Sequence, residues 1–317
     1  MKWGFLSYGT IAPKFFESFA TISDEELVAI ATRYGVDRAL KEHPGIKIYH
    51  RYEDLYNDPE VEIVYLSSTH NYHFDQGMQV LKSGKHLLCE KPLTTSFRQT
   101  KELIEQARSS KVFLMEAIWT RCMPAYIRVL KHIRDGDIGE VKYIQANFSF
   151  FNDWAEERRL FNKRLAGGAI YDVGIYNLSL IFDVMGSYPL EIKALAELTH
   201  TGVDQSCAAI LSFEGGKLAS LHSGFRLDTD HQAKIYGTKG WIEMDLHWKP
   251  RKFRMNRKGK GTEEVFLPFQ SNGYAHEIVE AVHCVEEGKL ESDLISHETS
   301  LQLAKSIDEI LTQIGYK

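Results

Sequence analysis

Cysteine is scarce in this chain of 317 residues. There are four, Cys89, Cys122, Cys207 and Cys284, and none forms a C-x-x-C pair. That argues against a disulfide framework or a cysteine-built zinc site and suits reduced thiols in a cytoplasmic protein. Charge of one sign is not in excess. Lys and Arg number 38 against 43 Asp and Glu, a formal net charge of −5, so there is no global basic footprint for nucleic acid. No uninterrupted apolar run reaches the ~18 residues of a membrane span. The opening Met1-Lys2-Trp3-Gly4-Phe5-Leu6 is short and reads as a first strand rather than a signal peptide. Repeats and low-complexity tracts are missing. What is present is ordinary for a globular chain: 44% hydrophobic and 26% charged residues, enough for a sizeable core and roughly two domains.

Short apolar runs recur through residues 1–118: Trp3 to Ser7, Leu27 to Thr32, Val61 to Ser67, His86 to Cys89 and Val112 to Met115. Helical patterns lie between them, notably Tyr72 to Lys82 and Phe97 to Arg108, the latter opened by a Ser96/Gln99 capping box. Strands alternating with helices predict βαβ units and a doubly wound parallel sheet, an α/β domain. After Trp119 the pattern changes. One helix is expected at Ala125 to Ile133. Strand-like runs then follow at Val141 to Phe151, Glu191 to Leu198, Cys207 to Phe213, Lys217 to Phe225, Gln232 to Tyr236 and Trp241 to Leu246. Gly215-Gly216 marks a hairpin turn, and the basic run Lys249 to Lys260 reads as a solvated hairpin beside the sheet. Helical patterns return at Ala275 to Glu287 and His297 to Ile314. Residues 119–317 are therefore expected to form a second, α+β domain on an open, mostly antiparallel sheet.

The first strand runs into Ser7-Tyr8-Gly9-Thr10-Ile11-Ala12, the spacing of G-x-G-x-x-G/A with Ser in the first place. Gly9 permits close approach of a pyrophosphate, Ala12 permits close helix packing, and the free N–H groups at the helix start favour phosphate. The second strand ends at Ala31-Thr32-Arg33, where an NAD site normally carries Asp or Glu against the ribose 2′-hydroxyl. Arg33, with Arg38 in the next turn, suits a 2′-phosphate instead, so the expected cofactor is NADP, with NAD the other possibility. An ordinary solvated arginine is the alternative reading of Arg33.

Glu90-Lys91-Pro92 follows the His86 to Cys89 strand. Ligands of doubly wound sheets sit at the carboxyl ends of strands, so Lys91 is well placed to meet a substrate hydroxyl, with a surface lysine at a turn as the plain alternative. Farther on, Gly167-Gly168 leads into a helical run in which Asp172 and Tyr176 are four apart and expected on one face. A tyrosine with a free pKa of ~10 is a poor base at neutral pH. A neighbouring ammonium lowers that value, which Lys91 is suited to supply, and Asp172 is suited to orient the lysine or the substrate. A core aromatic and a helix-start aspartate are the plain alternatives. His70 and His73 are three apart, but no third ligand stands out and no metal is expected.

The stretches WGFLSYGTIA at 3–12, YHFDQGMQVLKSGKHLLCEKPL at 72–93 and GGAIYDVGIY at 167–176 together resemble the Gfo/Idh/MocA family of oxidoreductases, over essentially the whole chain. Within it the likeness is greatest to the dihydrodiol dehydrogenase branch, which uses NADP and also oxidises pentoses such as D-xylose. FLMEAIWTR at 113–121, HTGVD at 200–204 and GTKG at 237–240 carry that part of the resemblance. It implies a Rossmann domain followed by a substrate domain, with Lys91 and Tyr176 catalytic. It further implies that Glu90 and Pro92 shape the nicotinamide pocket, that Thr69, His70 and Asn71 lie along the cofactor, and that Met115, Glu116 and Ala117 approach the nicotinamide. Trp119, Arg121, Phe151 and Trp154 are implied as lining the substrate cleft, though packing roles suit them equally. Many relatives carry His where this chain has Tyr176, and Ser7 departs from the usual glycine. The expected activity is hydride transfer between nicotinamide and a secondary alcohol of a sugar, polyol or dihydrodiol, in a homodimer or homotetramer formed through the second domain's sheet. An inositol- or glucose-type dehydrogenase and a non-catalytic NADP-binding sensor are the alternatives.

Overall fold

The computed structural model describes residues 1–317. The chain forms two compact units: Met1–Trp119 with Gln270–Leu301, and Thr120–Phe269 with Gln302–Lys317. The first unit therefore includes residues 270–301, a return that a single linear division after residue 118 leaves out.

The first unit contains β1 (Lys2–Leu6), α1 (Ala12–Phe19), β2 (Glu26–Ala31), α2 (Val36–Glu42), β3 (Lys47–Tyr49), α3 (Tyr52–Asn57), β4 (Ile63–Leu66), α4 (His73–Lys82), β5 (His86–Glu90), α5 (Phe97–Ser110) and β6 (Leu114–Ala117). Its six strands pair in parallel in the order β3-β2-β1-β4-β5-β6, which is the doubly wound arrangement expected. The strand cores are buried on both faces, as in Ile63–Leu66, because helices cover both sides of a parallel sheet. Phe15 and Phe19 of α1, spaced four apart, pack on this sheet. Phe15 stacks on Tyr65 at 3.7 Å and meets Phe5 edge-on at 5.5 Å, and such rings dominate core energetics. Ser96 caps α5 by accepting from the Gln99 N–H at 3.3 Å, as the capping signature predicts. The sequence reading passed over α2, β3 and α3.

The second unit begins with α6 (Pro124–Arg134), β7 (Val141–Ser149) and α7 (Ile175–Met185). It continues with β8 (Glu191–Leu198), β9 (Asp204–Phe213), β10 (Lys217–Gly224), β11 (Ala233–Gly237), β12 (Gly240–Met244), β13 (Lys252–Arg257) and β14 (Gly261–Phe266). Eight strands form one sheet, β14-β13-β12-β11-β7-β10-β9-β8. Only the β7–β10 pair is parallel, so the sheet is mixed and mostly antiparallel. Gly215 and Gly216 take φ of 71° and 70° in the β9–β10 turn, a left-handed conformation that glycine adopts without steric penalty. The basic run 249–260 becomes β13, which lies between β12 and the edge strand β14, and the turn that leads into β14. Finally α8 (Ala275–Glu286) lies in the first unit, and α9 (His297–Gln313) starts there and continues from Gln302 in the second.

One helical stretch, Lys163–Met185, is long and apolar enough by composition to cross a membrane, although no uninterrupted apolar run is. Its apolar window is 83% buried inside the protein. A helix apolar on all sides is the signature of a core position, and α7 packs on β7 and β10.

Candidate functional site

In the first unit, the loop after β1 is built around Ser7, which takes φ 75°. This is the left-handed region that glycine occupies in the usual motif, and Ser occupies it at a steric cost. The Ser7 N–H donates to Ala31 O at 2.8 Å and its carbonyl accepts from Ser67 Oγ at 3.2 Å, so strands on both sides fix the turn. Thr32 Oγ1 accepts from the Tyr8 N–H at 3.2 Å and donates to Tyr34 O at 2.5 Å. Beyond that anchor, the backbone N–H groups of Gly9, Thr10 and Ile11 make no hydrogen bond within the chain. Ile11 stands at the N-cap of α1 without a side-chain cap, and Pro13 opens the helix. A Cβ added at Gly9 meets nothing within 4 Å. Orphan donors, a helix start and an open approach fit the diphosphate of a dinucleotide.

At the end of β2 no carboxylate appears. Arg33 is exposed, with its guanidinium 4.8 Å over the Tyr52 ring. Arg38 pairs with Glu42 at 2.8 Å on α2, and Glu42 also accepts from the Tyr8 hydroxyl at 2.6 Å. The Arg38 and Tyr8 hydrogen bonds hold the Glu42 carboxyl below its ordinary range.

After β4, Thr69 Oγ1 donates to Asn71 Oδ1 at 2.7 Å and His70 is buried. His73 presents Nδ1 to Pro92 O at 2.8 Å and Nε2 to Ser68 O at 3.0 Å, tying the loops that follow β4 and β5. Both ring nitrogens thus face backbone carbonyls. The turn after β5 carries Glu90, Lys91 and Pro92, with the Lys91–Pro92 peptide cis. Glu90 accepts from the Tyr65 hydroxyl at 2.8 Å and from the Lys91 N–H at 3.2 Å. Glu116 accepts from Leu93 N at 2.7 Å and Ser300 Oγ at 2.6 Å, so it clamps the residue after Pro92. Ala117 ends β6, and Trp119 stacks on Tyr274 at 4.3 Å.

In the second unit, Gly167-Gly168 leads first into a π turn over Ile170–Gly174 and then into α7. Asp172 lies in the wide turn and Tyr176 in the α-helix, so their spacing is not that of a regular i,i+4 pair. Asp204 organises the turn by accepting from Ile170 N at 2.8 Å. Burial raises its carboxyl to about 7. A Cβ at Gly174 would lie 2.6 Å from Ile170 Cδ1 and 3.0 Å from Ser223 Oγ, so glycine permits the close approach of β10. Asn177 then donates to His222 O at 2.9 Å and Ser223 Oγ at 3.0 Å, fixing the first turn of α7.

Arg159 donates to Asp172 at 2.7 Å. Tyr176, also buried, has Phe148 at 5.9 Å and Trp248 at 6.5 Å between ring centroids, and those two rings stack at 4.9 Å. Trp248 Nε1 donates to His231 Nδ1 at 3.3 Å while His231 Nε2 donates to Ser149 O at 2.8 Å. The sequence reading missed Arg159, Phe148 and Trp248, because they come from a short 3-10 turn, from β7 and from the turn after β12, with no shared spacing. Of the expected cleft residues, Arg121 is engaged by Asp183 at 2.8 Å and Ser179 Oγ at 3.2 Å. Burial raises the Asp183 carboxyl despite that cation. Phe151 is exposed beneath the Arg226 guanidinium at 5.2 Å, and Trp154 packs on Phe161 at 4.7 Å and His200 at 4.6 Å.

Residues 1–118 match the oxidoreductase family with an NAD-binding Rossmann fold, and residues 126–243 match the GFO/IDH/MocA C-terminal domain. A trans-1,2-dihydrobenzene-1,2-diol dehydrogenase of Danio rerio is 33% identical across 99% of this chain and 97% of its own length. The chain belongs to the Gfo/Idh/MocA oxidoreductase family. The D-xylose 1-dehydrogenase (NADP(+)) of Hypocrea jecorina is 30% identical to this family member over 99% of it and 92% of the relative. Among solved structures, an aldose-aldose oxidoreductase from Caulobacter crescentus complexed with glycerol superposes with a TM-score of 0.89 at 22% identity, covering 99% and 97% of the two chains. A 3-ketoreductase from Actinomadura kijaniata in complex with NADP and TDP-benzene gives 0.89 at 23%, over 99% and 98%. At those identities the two structures establish the Gfo/Idh/MocA fold alone.

Proposed function

We propose that this oxidoreductase uses NADP to oxidise, or NADPH to form, a secondary alcohol of a sugar, polyol or dihydrodiol. Residues 1–118 bind the dinucleotide and residues 119–317 the substrate. The observation that carries the reading is the setting of Tyr176: a buried phenol at the start of α7, walled by Phe148 and Trp248. The names of the full-length relatives supply the substrate classes, since fold by itself does not fix them. Arg33 and the lack of a carboxylate at the end of β2 support NADP over NAD.

Bound NADP+ supplies the hydride acceptor. Tyr176 takes the proton of the substrate hydroxyl. The Lys91 ammonium favours the ionised phenol and bonds the developing alkoxide oxygen. Asp172, held by Arg159, orients the substrate or the lysine. Ser7, Gly9, Thr10, Ile11 and Ala12 bind the diphosphate, Arg33 and Arg38 the 2′-phosphate, and Thr69, His70, Asn71, Glu90, Pro92, Glu116 and Ala117 lie along the cofactor. Trp119, Arg121, Phe151 and Trp154 line the substrate side.

The test is a panel of D-xylose, D-glucose, inositols and a benzene dihydrodiol with NADP+ or NAD+, followed by nicotinamide absorbance. Turnover with NADP+ on at least one member is expected. Tyr176→Phe is expected to slow it by ~10²-fold or more while NADP+ still binds. Silence across the panel, or a Tyr176→Phe variant at wild-type speed, overturns the reading. A cytoplasmic homo-oligomer completes the proposal. The outward face of β8–β10 exposes Leu195, Ile210 and Leu218 among charged and polar side chains such as Glu191 and Lys193, which supports pairing through the sheet. Light scattering of the purified chain tests it.

A further inference from the structure

Glu277, in the first turn of α8, has 0% of its surface exposed, and neither carboxylate oxygen has a hydrogen-bond donor. An isolated carboxylate in that position is strongly disfavoured. Ionisable groups from three elements act on one another in this region. Tyr65 comes from β4, Glu90 from β5 and Tyr274 from the turn before α8. The Phe15 ring of α1 stacks on Tyr65 and lies 5.9 Å from Tyr274. No cation balances Glu277. The charged group acting on it is the carboxylate of Glu90, a like charge, and burial first and Glu90 second push its carboxyl well above the ordinary range. Glu90 is the better placed to keep the negative charge, because it accepts from the Tyr65 hydroxyl and from the backbone N–H of Lys91. Of two buried carboxyl groups that repel each other, one keeps the proton and the other the charge.

We propose that Glu277 is a positioning residue: as a neutral acid it gives its hydrogen bond to Glu90 and thereby fixes the carboxylate that anchors the backbone of Lys91. The role is distinct from that of Glu116, which clamps the other side of the same turn at Leu93. It rests on the reading of Lys91 as the lysine of the reaction. Neutral Glu277 leaves Glu90 as a single-charge anchor. An ionised Glu277 would repel it and loosen the turn.

Two measurements test this. Infrared difference spectra of the full chain in D2O at neutral pH, wild type minus Glu277→Gln, are expected to show the C=O stretch of one protonated carboxyl. Its absence overturns the proposal, and this arm needs no turnover. A failure of the hydride-transfer reading, seen as an inactive wild type, is thereby distinguished from a failure here. Kinetically, Glu277→Gln keeps a donor and is expected to hold kcat within about threefold of wild type. Glu277→Met has similar length and no donor, and is expected to lose kcat about tenfold with KM for NADP+ little changed. Equal kcat in the Gln and Met variants overturns the proposal.

Discussion

Arg159 fixes Asp172 through a 2.7 Å hydrogen bond between guanidinium and carboxylate, so the acid of the π turn is oriented by a cation thirteen positions before it. Asp172 is almost fully buried and Arg159 only partly so. Charge-assisted bonds of this kind hold geometry as well as contribute energy, and removing one partner strands the other. Arg159→Ala is expected to destabilise the fold by about 1–2 kcal/mol, discounted for the exposure of the arginine. It should lower kcat/KM about tenfold or more, with Arg159→Lys intermediate. Steady-state kinetics beside thermal melts separate the two effects. An unchanged kcat/KM would remove Asp172 orientation from the mechanism.

Asp204 makes the same π turn sensitive to pH. Burial raises its carboxyl to about 7 in the folded chain, against ~3.9 unfolded. A raised folded value means that the native state holds the proton more tightly. The stability this contributes is complete below about pH 4 and is lost as pH rises to about 7. The loss amounts to roughly 4 kcal/mol at most, from ~1.4 kcal/mol per pH unit. Asp204→Asn keeps an acceptor for Ile170 N and does not ionise. Its stability relative to wild type is expected to improve steadily between about pH 4 and about pH 7, read from denaturant midpoints. A pH-independent difference would mean that Asp204 titrates normally.

These two residues mark the edge of what the sequence discloses. Strands such as Ile63–Leu66 are legible because four consecutive apolar residues bounded by polar ones have few other fates. Lys91 is legible because it directly follows such a strand. Lys47–Tyr49 is not legible: three residues, partly exposed, carry too little periodicity. The return of residues 270–301 to the first unit is equally hidden, because linear order says nothing about which core a distant helix joins. The π turn has no spacing of its own beyond the Gly167-Gly168 pair. Arg159, Phe148, Trp248 and Glu277 converge on their partners only through tertiary structure.

Ser7 occupies a glycine conformation. Its φ of 75° costs an L-residue roughly 1–2 kcal/mol, while glycine costs roughly 0.5–1 kcal/mol through the unfolded chain. Ser7→Gly is therefore expected to leave stability unchanged or raise it by up to ~1 kcal/mol, with NADP+ affinity retained. Ser7→Val is expected to lose ~2 kcal/mol or more, since a β-branched side chain is a true outlier there, and to weaken NADP+ because the donors of Gly9 to Ile11 shift with the turn. Thermal melts and fluorescence titration of NADPH measure both. A Ser7→Val variant that matches wild type in both would show that the turn relaxes without consequence.

Trp248 decides whether the wall beside Tyr176 selects substrate. Its ring stacks on Phe148 at 4.9 Å, and its indole N–H is held by His231, which is itself anchored on Ser149 O. The Lys249 ammonium also lies 4.5 Å over the ring, so the indole is held in place beside Tyr176 without further ordering cost. A fixed aromatic ring with a cation on it suits a hydroxyl-bearing substrate such as a sugar or a dihydrodiol. Trp248→Ala is expected to raise KM for the substrate about tenfold, equivalent to about 1.4 kcal/mol, and to change kcat less. Trp248→Phe keeps the stack, loses the bond to His231 and should fall between. The affinity for NADP+, titrated alongside, is expected to stay constant across the series. If kcat falls in proportion while KM holds, Trp248 supports Tyr176 rather than the substrate, and the specificity wall must be sought elsewhere.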